Sequence, residues 1–265
     1  EIVSRDWSSD VCSSDLRGGD SQTTYGINFS GTNTDGFSAF VPNPTSTANA
    51  FNLDRDKYRN FSFSTSFNHK INEDYEINFQ YLLTQAKNKY DNPSADSYPN
   101  IDFRNTAKNE AYSVSLNARR NSIWKSSIKI SRGIDRYLDK QLFDRNIGTY
   151  GEYIAQDNLY KTTQDQLTWQ NNIQLSKGTL TLLYDRLEQK IKTTEYYQKN
   201  KRVNDGFMVG YSLIENKHNF QTNIREDLNS NYDDSLTGNI GYAYLINQNW
   251  TFATSRSEEH TSELQ

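Results

Sequence analysis

Apolar and polar positions alternate with a period of two along most of this chain. Tyr25, Ile27 and Phe29 share one parity, as do Phe61, Phe63, Thr65 and Phe67, then Tyr75, Ile77, Phe79, Tyr81 and Leu83. The spacing returns in Tyr112, Val114, Leu116 and Ala118, in Trp124, Ser126, Ile128 and Ile130, and in Leu167, Trp169 and Ile173, where polar Asn171 interrupts it. It continues through Leu180, Leu182 and Tyr184, through Phe207, Val209, Tyr211 and Leu213, and through Phe220, Thr222 and Ile224. Leu236, Ile240, Tyr242 and Tyr244, then Trp250 and Phe252, complete the series. Such alternation predicts strands with one apolar and one polar face, about eleven of them, and no segment carries a helical period.

The connections alternate between two classes. Short ones fall at 70–74, 120–122, 176–178, 215–217 and 247–249; long polar ones fall at 31–57, 87–108, 135–161, 193–203 and 228–234. Successive antiparallel strands put every short turn at one end and every long loop at the other. That layout predicts an all-β fold, a partial antiparallel up-and-down transmembrane β-barrel with short periplasmic turns and long extracellular loops. The apolar stripe of each strand faces outer-membrane lipid, the Ser, Thr, Asn and Gln stripe faces the lumen, and Tyr75, Trp124, Tyr244 and Trp250 mark the interfaces. A soluble β-sandwich also alternates, but its Greek-key crossovers do not sort loop lengths by end.

The two ends obey a different constraint. Residues 7–16 (WSSDVCSSDL) back-translate as TGG AGT TCA GAC GTG TGC TCT TCC GAT CTN, and residues 256–265 (RSEEHTSELQ) as AGA TCG GAA GAG CAC ACG TCT GAA CTC CAG. Apart from the end nucleotides, the second string is the reverse complement of the first, in register. No folding requirement couples two peptides in this way, and the string matches a short-read sequencing-library adapter. Segments 1–16 and 256–265 are therefore expected to be adapter-derived and are set aside from fold reasoning. Segment 17–255 is expected to be a barrel domain cut from a longer chain.

This division changes the bulk properties. The whole chain has 29 Lys and Arg against 33 Asp and Glu, a formal net charge of −4. The ends hold two of the basic and seven of the acidic residues, leaving 27 against 26 between them, so the acidity points to no partner. Cys12, the one cysteine, also falls in an end, so 17–255 offers no disulfide, thiolate nucleophile or Cys-based metal site. No run of about 18 apolar residues exists, which excludes a transmembrane helix. Phosphate-binding Gly loops, nucleophile elbows and a basic-aromatic nucleic-acid surface are absent from the sequence, which argues against an enzyme and against a nucleic-acid partner.

Candidate chemistry lies in the long loops. Asp54 and Asp56 stand two apart, so in an extended segment both project to one side. With Asp35 upstream and Tyr90, Asp91 and Asp102 in the next loop, adjacent hairpins offer an oxygen-rich set suited to calcium, which takes roughly six to eight oxygens. The competing reading is ordinary solvated acidic loops. His69 and His218 flank short turns, away from the long loops, and read as interfacial or turn-capping. The run Asp185-Arg186-Leu187-Glu188-Gln189-Lys190 reads as a ladder of ion pairs on a strand extension or as a solvated hairpin stem. Tyr196 and Tyr197 offer rings for stacking on a planar ligand.

A family resemblance rests on several of these stretches. Thr34-Asp35-Gly36-Phe37-Ser38-Ala39, then Asn52-Leu53-Asp54-Arg55-Asp56-Lys57-Tyr58-Arg59-Asn60, together with Tyr90-Asp91, Trp169-Gln170-Asn171-Asn172, Asp185 to Lys190 and Arg225-Glu226-Asp227-Leu228-Asn229-Ser230, resemble the early barrel of the TonB-dependent cobalamin transporters. The resemblance covers nearly all of 17–255. It implies a barrel of about 22 strands in the bacterial outer membrane, with an N-terminal plug that engages TonB, cobalamin (vitamin B12) as transported ligand, and calcium ordering the early loops. Asp54, Asp56, Tyr90, Asp91 and Asp102 match the calcium-ligand positions. The acid expected just after the Gly-aromatic pair is Ser38 here, with Asp35 three residues earlier. A TonB-dependent receptor for another ligand, such as a ferric siderophore, is the alternative, and an outer-membrane barrel enzyme a second one.

Overall fold

A computed structural model of the chain describes residues 9–38, 55–91, 100–144 and 153–259. They form one sheet of twelve strands in sequential order: β1 Ser9–Gly19, β2 Thr23–Thr34, β3 Tyr58–Lys70, β4 Tyr75–Lys89, β5 Asn100–Arg119, β6 Trp124–Asp144, β7 Tyr153–Gln174, β8 Thr179–Thr193, β9 Lys201–Glu215, β10 His218–Asn229, β11 Ser235–Asn247 and β12 Trp250–Glu259. Each strand pairs antiparallel with its chain neighbours, the up-and-down meander that the alternation and loop lengths predict.

Register turns the alternation into two continuous faces. Tyr25, Phe67, Phe79, Val114, Ile130 and Leu167 lie directly opposite one another across six strands. One residue along, the same row reads Gly26, Ser66, Gln80, Ser113, Ser131 and Gln166. Residues of this second row line a concave space of about 550 Å³, so the polar face is the inner one. The apolar face carries no second layer: Ile130 is 63% exposed, and Phe103 is the one buried hydrophobic residue among the described residues. A water-soluble sandwich buries that face against another sheet. Here it is left for lipid. Asn171, the polar interruption on that face, is 6% exposed, and its Oδ1 accepts the Trp124 indole N–H at 3.0 Å. The pair satisfies both polar groups where lipid offers no partner.

Three of the short turns share one local device. Asn72 Oδ1 accepts from the backbone N–H of Asp74 and Tyr75, Asn121 Oδ1 from Ile123 and Trp124, and Asn247 Oδ1 from Asn249 and Trp250. Each Asx side chain closes the turn on its own backbone and delivers an aromatic residue to the first position of the next strand. The two-residue turn between β9 and β10 uses Asn216 at φ 53, a left-handed conformation that Asn tolerates better than most residues.

Two features go beyond the expectation. First, the eleven strands that the alternation predicts are β2–β12, Ser9–Gly19 adds a twelfth by pairing with β2, and β12 runs four residues beyond position 255. An edge strand presents open N–H and C=O groups that an extended neighbour satisfies, whatever side chains it carries. Second, the long loops are shorter than their polarity suggests. Pairing continues through Lys87, Lys108, Asp135 and Lys161, and β5, β6 and β7 reach 20, 21 and 22 residues. Roughly ten residues cross a bilayer, so the remainder stands clear of it with water on both faces, and the alternation fades although the ladder persists.

Candidate functional site at the long-loop mouth

At the long-loop end, backbone bonds tie two strand connections, β2–β3 and β4–β5, into one corner. Gly36 lies at φ 64, and a Cβ there would fall 2.0 Å from the Asp56 carbonyl oxygen, so only glycine lets the β2–β3 stem close on itself. Asp56 N donates to Phe37 O at 3.3 Å, Lys89 N to Lys57 O at 2.9 Å, and Tyr90 N to Phe103 O at 3.1 Å. Asp35, Asp56, Tyr90, Asp91 and Asp102 thereby come to neighbouring stems; Asp54 lies outside the described residues.

The side chains of Asp35, Asp91 and Asp102 are held by cations and a hydroxyl. Asp35 faces Lys57 at 3.4 Å and Arg55 at 3.9 Å, and Asp102 faces Arg104 at 2.5 Å and Lys89 at 3.9 Å. Ser38 Oγ donates to Asp91 Oδ2 at 3.4 Å, so the hydroxyl standing where an acid is expected bonds another member of the set. Among the described residues, no three carboxylate, imidazole or thiol side chains converge on one point. The oxygen chemistry and the shared neighbourhood suit a hard cation, but the side-chain geometry is that of a corner whose charge is balanced by Lys and Arg.

Beneath this corner lies a cluster that the sequence reading missed. Tyr90 Oη donates to Asp139 Oδ1 at 2.6 Å, and Gln141 Nε2 donates to Asp139 Oδ2 at 2.7 Å and to Tyr90 Oη at 3.3 Å. Phe103, 3% exposed, packs its ring 5.6 Å from that of Tyr90, and Asp139 is 8% exposed. Burial first, and then the bond to Asp139, push the Tyr90 phenol above its ordinary value of 10.0. Asp139 and Gln141 share the parity of Ser131 and so point inward. That parity is the signal that could have found them, had 135–161 been read as strand.

The remaining candidates separate. The run from Asp185 to Lys190 splits by parity. On the inner face, Arg225 binds Asp185 through two bonds (2.8 and 3.0 Å) and Asp227 through two more (2.7 Å each). Gly206 makes room, since a Cβ there would meet the Arg225 guanidinium at 2.1 Å. On the outer face, Arg186 pairs with Asp205 at 2.8 Å, and Glu188 with Lys190 at 2.5 Å and Lys201 at 3.0 Å. His69 Nδ1 shares a hydrogen bond with Thr23 Oγ1 (2.8 Å) and His218 Nδ1 with Tyr242 Oη (2.7 Å), both at the short-turn end. Tyr196 and Tyr197 lie in the β8–β9 loop with their side chains exposed.

No protein family profile and no curated protein matches the chain in sequence. Solved structures do match in shape. A ferric enterobactin receptor from Pseudomonas aeruginosa superposes with a TM-score of 0.68 at 12% identity, over 95% of this chain and 41% of that one. The siderophore receptor PirA from Acinetobacter baumannii gives 0.67 at 11% identity, over 96% and 41%. The RagAB peptide transporter gives 0.66 at 10% identity, over 93% and 36%. The chain shares its up-and-down antiparallel sheet with these receptors. The chain spans about two-fifths of the length of the receptors it matches.

Proposed function

We propose that this chain is the barrel portion of a TonB-dependent receptor of the bacterial outer membrane, a transport protein rather than an enzyme. The observation that carries the reading is the exposed apolar outer face, with the polar face turned into a concave lumen. The shape match to siderophore receptors and a peptide transporter supports the same class. In this reading the inner face encloses a plug that couples uptake to TonB, and the mouth captures the ligand.

Two ligands remain in play, on different grounds. Cobalamin follows from the sequence resemblance at Asp54, Asp56, Tyr90, Asp91 and Asp102. A ferric siderophore follows equally from the names of the matching structures. Calcium belongs to the cobalamin reading. Those five residues, with Asp35 at the margin, would hold it in competition with Arg55, Lys57, Lys89 and Arg104, and when bound it would supply charge neutralisation that orders the loops. The deciding experiment is binding of cobalamin and of a ferric catecholate to the full-length protein, each with and without calcium. Calcium-dependent cobalamin binding that is lost in an Asp54→Ala/Asp56→Ala double variant supports the first ligand. Calcium-indifferent binding of the ferric complex alone replaces it with the second. The adapter origin of 1–16 and 256–265 is likewise a proposal, tested by genomic sequence read across positions 16/17 and 255/256.

A further inference from the structure

The long-loop stems of β2–β8 divide their charges by face. From the row through Ser131 to the long-loop end, no Lys or Arg among the described residues has the inward parity on these strands. Lys87, Lys108, Arg136 and Lys161 all share the outer parity. Carboxylates do point inward. Asp139 is buried, and both its oxygens are taken by Tyr90 and Gln141. Asp135 lies four residues nearer the membrane on the same strand and face, and it is exposed. Among the described residues, no side chain bonds to its carboxylate or pairs with it.

The surroundings of Asp135 are open on one side and aromatic on the other. Two residues toward the membrane is Gly133, where a Cβ would meet nothing within 4 Å. Two residues toward the long loops is Tyr137, directly opposite Tyr160 on β7. Beside Tyr137 the same row continues into Ala107 on β5 and Ala86 on β4, so it falls away to small side chains. Tyr137 is 37% exposed and Tyr160 39%. Gly133 also lines the concave space of about 550 Å³, which puts Asp135 at the long-loop edge of that space. Asp135 is eleven residues beyond Trp124. Roughly ten residues cross the hydrocarbon, so this edge is the mouth of the lumen. Side chains directly opposite one another start about 5 Å apart, and those two along a strand about 7 Å. One carboxylate and two phenol rings therefore lie within reach of a single small group. The carboxylate attracts positive charge, and a ring attracts a cation within about 6 Å of its centroid. A wall that adds no Lys or Arg leaves that attraction unopposed and repels an anion.

We propose that Asp135, Tyr137 and Tyr160 form a subsite for a cationic group of the ligand, an ammonium or a quaternary ammonium. Asp135 balances the charge, the two rings line its apolar surface, and Gly133 leaves the space that the group occupies. The proposal rests on the receptor reading, in which ligand enters the lumen by this mouth, and on neither of the two ligands weighed above.

The test uses the full-length protein folded in maltoside detergent, with binding followed by saturation-transfer NMR on the probe. The probes are choline, its uncharged carbon isostere 3,3-dimethylbutan-1-ol, and the anionic isostere 3,3-dimethylbutanoate, each corrected against protein-free micelles. Choline is expected to bind, and both isosteres to bind at least about tenfold more weakly, since they lose both the ion pair and the attraction to the rings. Asp135→Asn should weaken choline about fivefold, the scale of a solvent-accessible ion pair. Tyr160→Leu should weaken it by about the same factor, whereas Tyr137→Phe and Tyr160→Phe, which keep the rings, should bind like wild type. No binding of choline, equal binding of the uncharged isostere, full binding by Asp135→Asn or by Tyr160→Leu, or loss of binding in the Phe variants would each overturn the proposal. Insertion of wild type into vesicles, scored by the mobility shift of the folded barrel in electrophoresis, tests the membrane reading separately. A barrel that inserts and ignores choline removes the subsite alone.

Discussion

Asp139 is a carboxylate buried to within 8% of full occlusion whose hydrogen bonds come from neutral donors, the Tyr90 hydroxyl and the Gln141 amide. Burying such a charge is costly unless its oxygens are satisfied, and here each receives a bond shorter than 2.8 Å. The same bond acts on its donor. Burial and the bonded carboxylate both favour the neutral phenol, so the folded state holds Tyr90 protonated above its ordinary 10.0. The linkage sign follows: the stabilisation is complete below pH 10 and is lost as pH rises from there through the raised folded value. Tyr90→Phe is expected to cost about 2 kcal/mol, the scale of a hydrogen bond to a charged group. In an ultraviolet titration it should remove a tyrosinate component ionising later than the others. Asp139→Asn should move that component down toward the ordinary range. A Tyr90→Phe difference spectrum with its midpoint at the ordinary value would show that the pair is not formed. Tyr90 was legible in the sequence as a Tyr-Asp pair in an acidic loop. Asp139 was not, because polar residues on a stem wetted on both faces carry no apolar rhythm to mark them.

Among the strands, β8, β9 and β10 are locked by one arginine rather than by packing. Arg225 spans from its own strand across Gly206 to Asp185, and takes Asp227 two residues along. The side chains of Arg225, Asp185 and Asp227 are 26%, 13% and 21% exposed, so the network is neither dry nor freely solvated. Removing the cation leaves two carboxylates facing each other on the inner wall. Arg225→Met is expected to cost about 2–3 kcal/mol, below the range for fully buried pairs because water reaches this one. Adding Asp185→Asn and Asp227→Asn to that variant should recover at least half of the loss, since the penalty lies in the abandoned charges. Gly206→Ala should resemble Arg225→Met, because its methyl group takes the place of the guanidinium. Urea unfolding in vesicles measures all three, and a triple variant no more stable than the single one would assign the cost to lost packing. The run from Asp185 to Lys190 could be read from sequence as a charge ladder, but not its division between faces. That division needs the register, which turns Arg186 and Glu188 outward and Asp185 inward.

For the molecule as a whole, the rows through Val114 and Ser113 decide what the sheet is for. A binary pattern states that two faces differ; it does not state which medium each face meets. Loop lengths supplied that step, since short turns at one end and long loops at the other suit a membrane crossing, and the exposed apolar face with its concave polar reverse agrees. The stems escaped detection because hydrogen-bonded ladders do not need hydrophobic side chains, as the pairing of Lys108, Arg136 and Lys161 demonstrates. Orientation can be tested directly because 17–255 contains no cysteine. With any cysteine outside that segment replaced by Ser, Val114→Cys and Ser113→Cys each accept one nitroxide label in the full-length protein. The label at Val114 is expected to collide with oxygen dissolved in the acyl chains and to be shielded from an aqueous nickel chelate. The label at Ser113 is expected to show the reverse whenever the lumen admits the chelate. Val114→Arg should cost about 2–4 kcal/mol of folding free energy in vesicles, against less than about 1 for Ser113→Arg, the asymmetry expected between lipid-facing and lumen-facing positions. In a soluble sandwich Val114 is interior, so a label there would meet neither oxygen-rich lipid nor chelate. That result would remove the membrane reading and the transport function built on it.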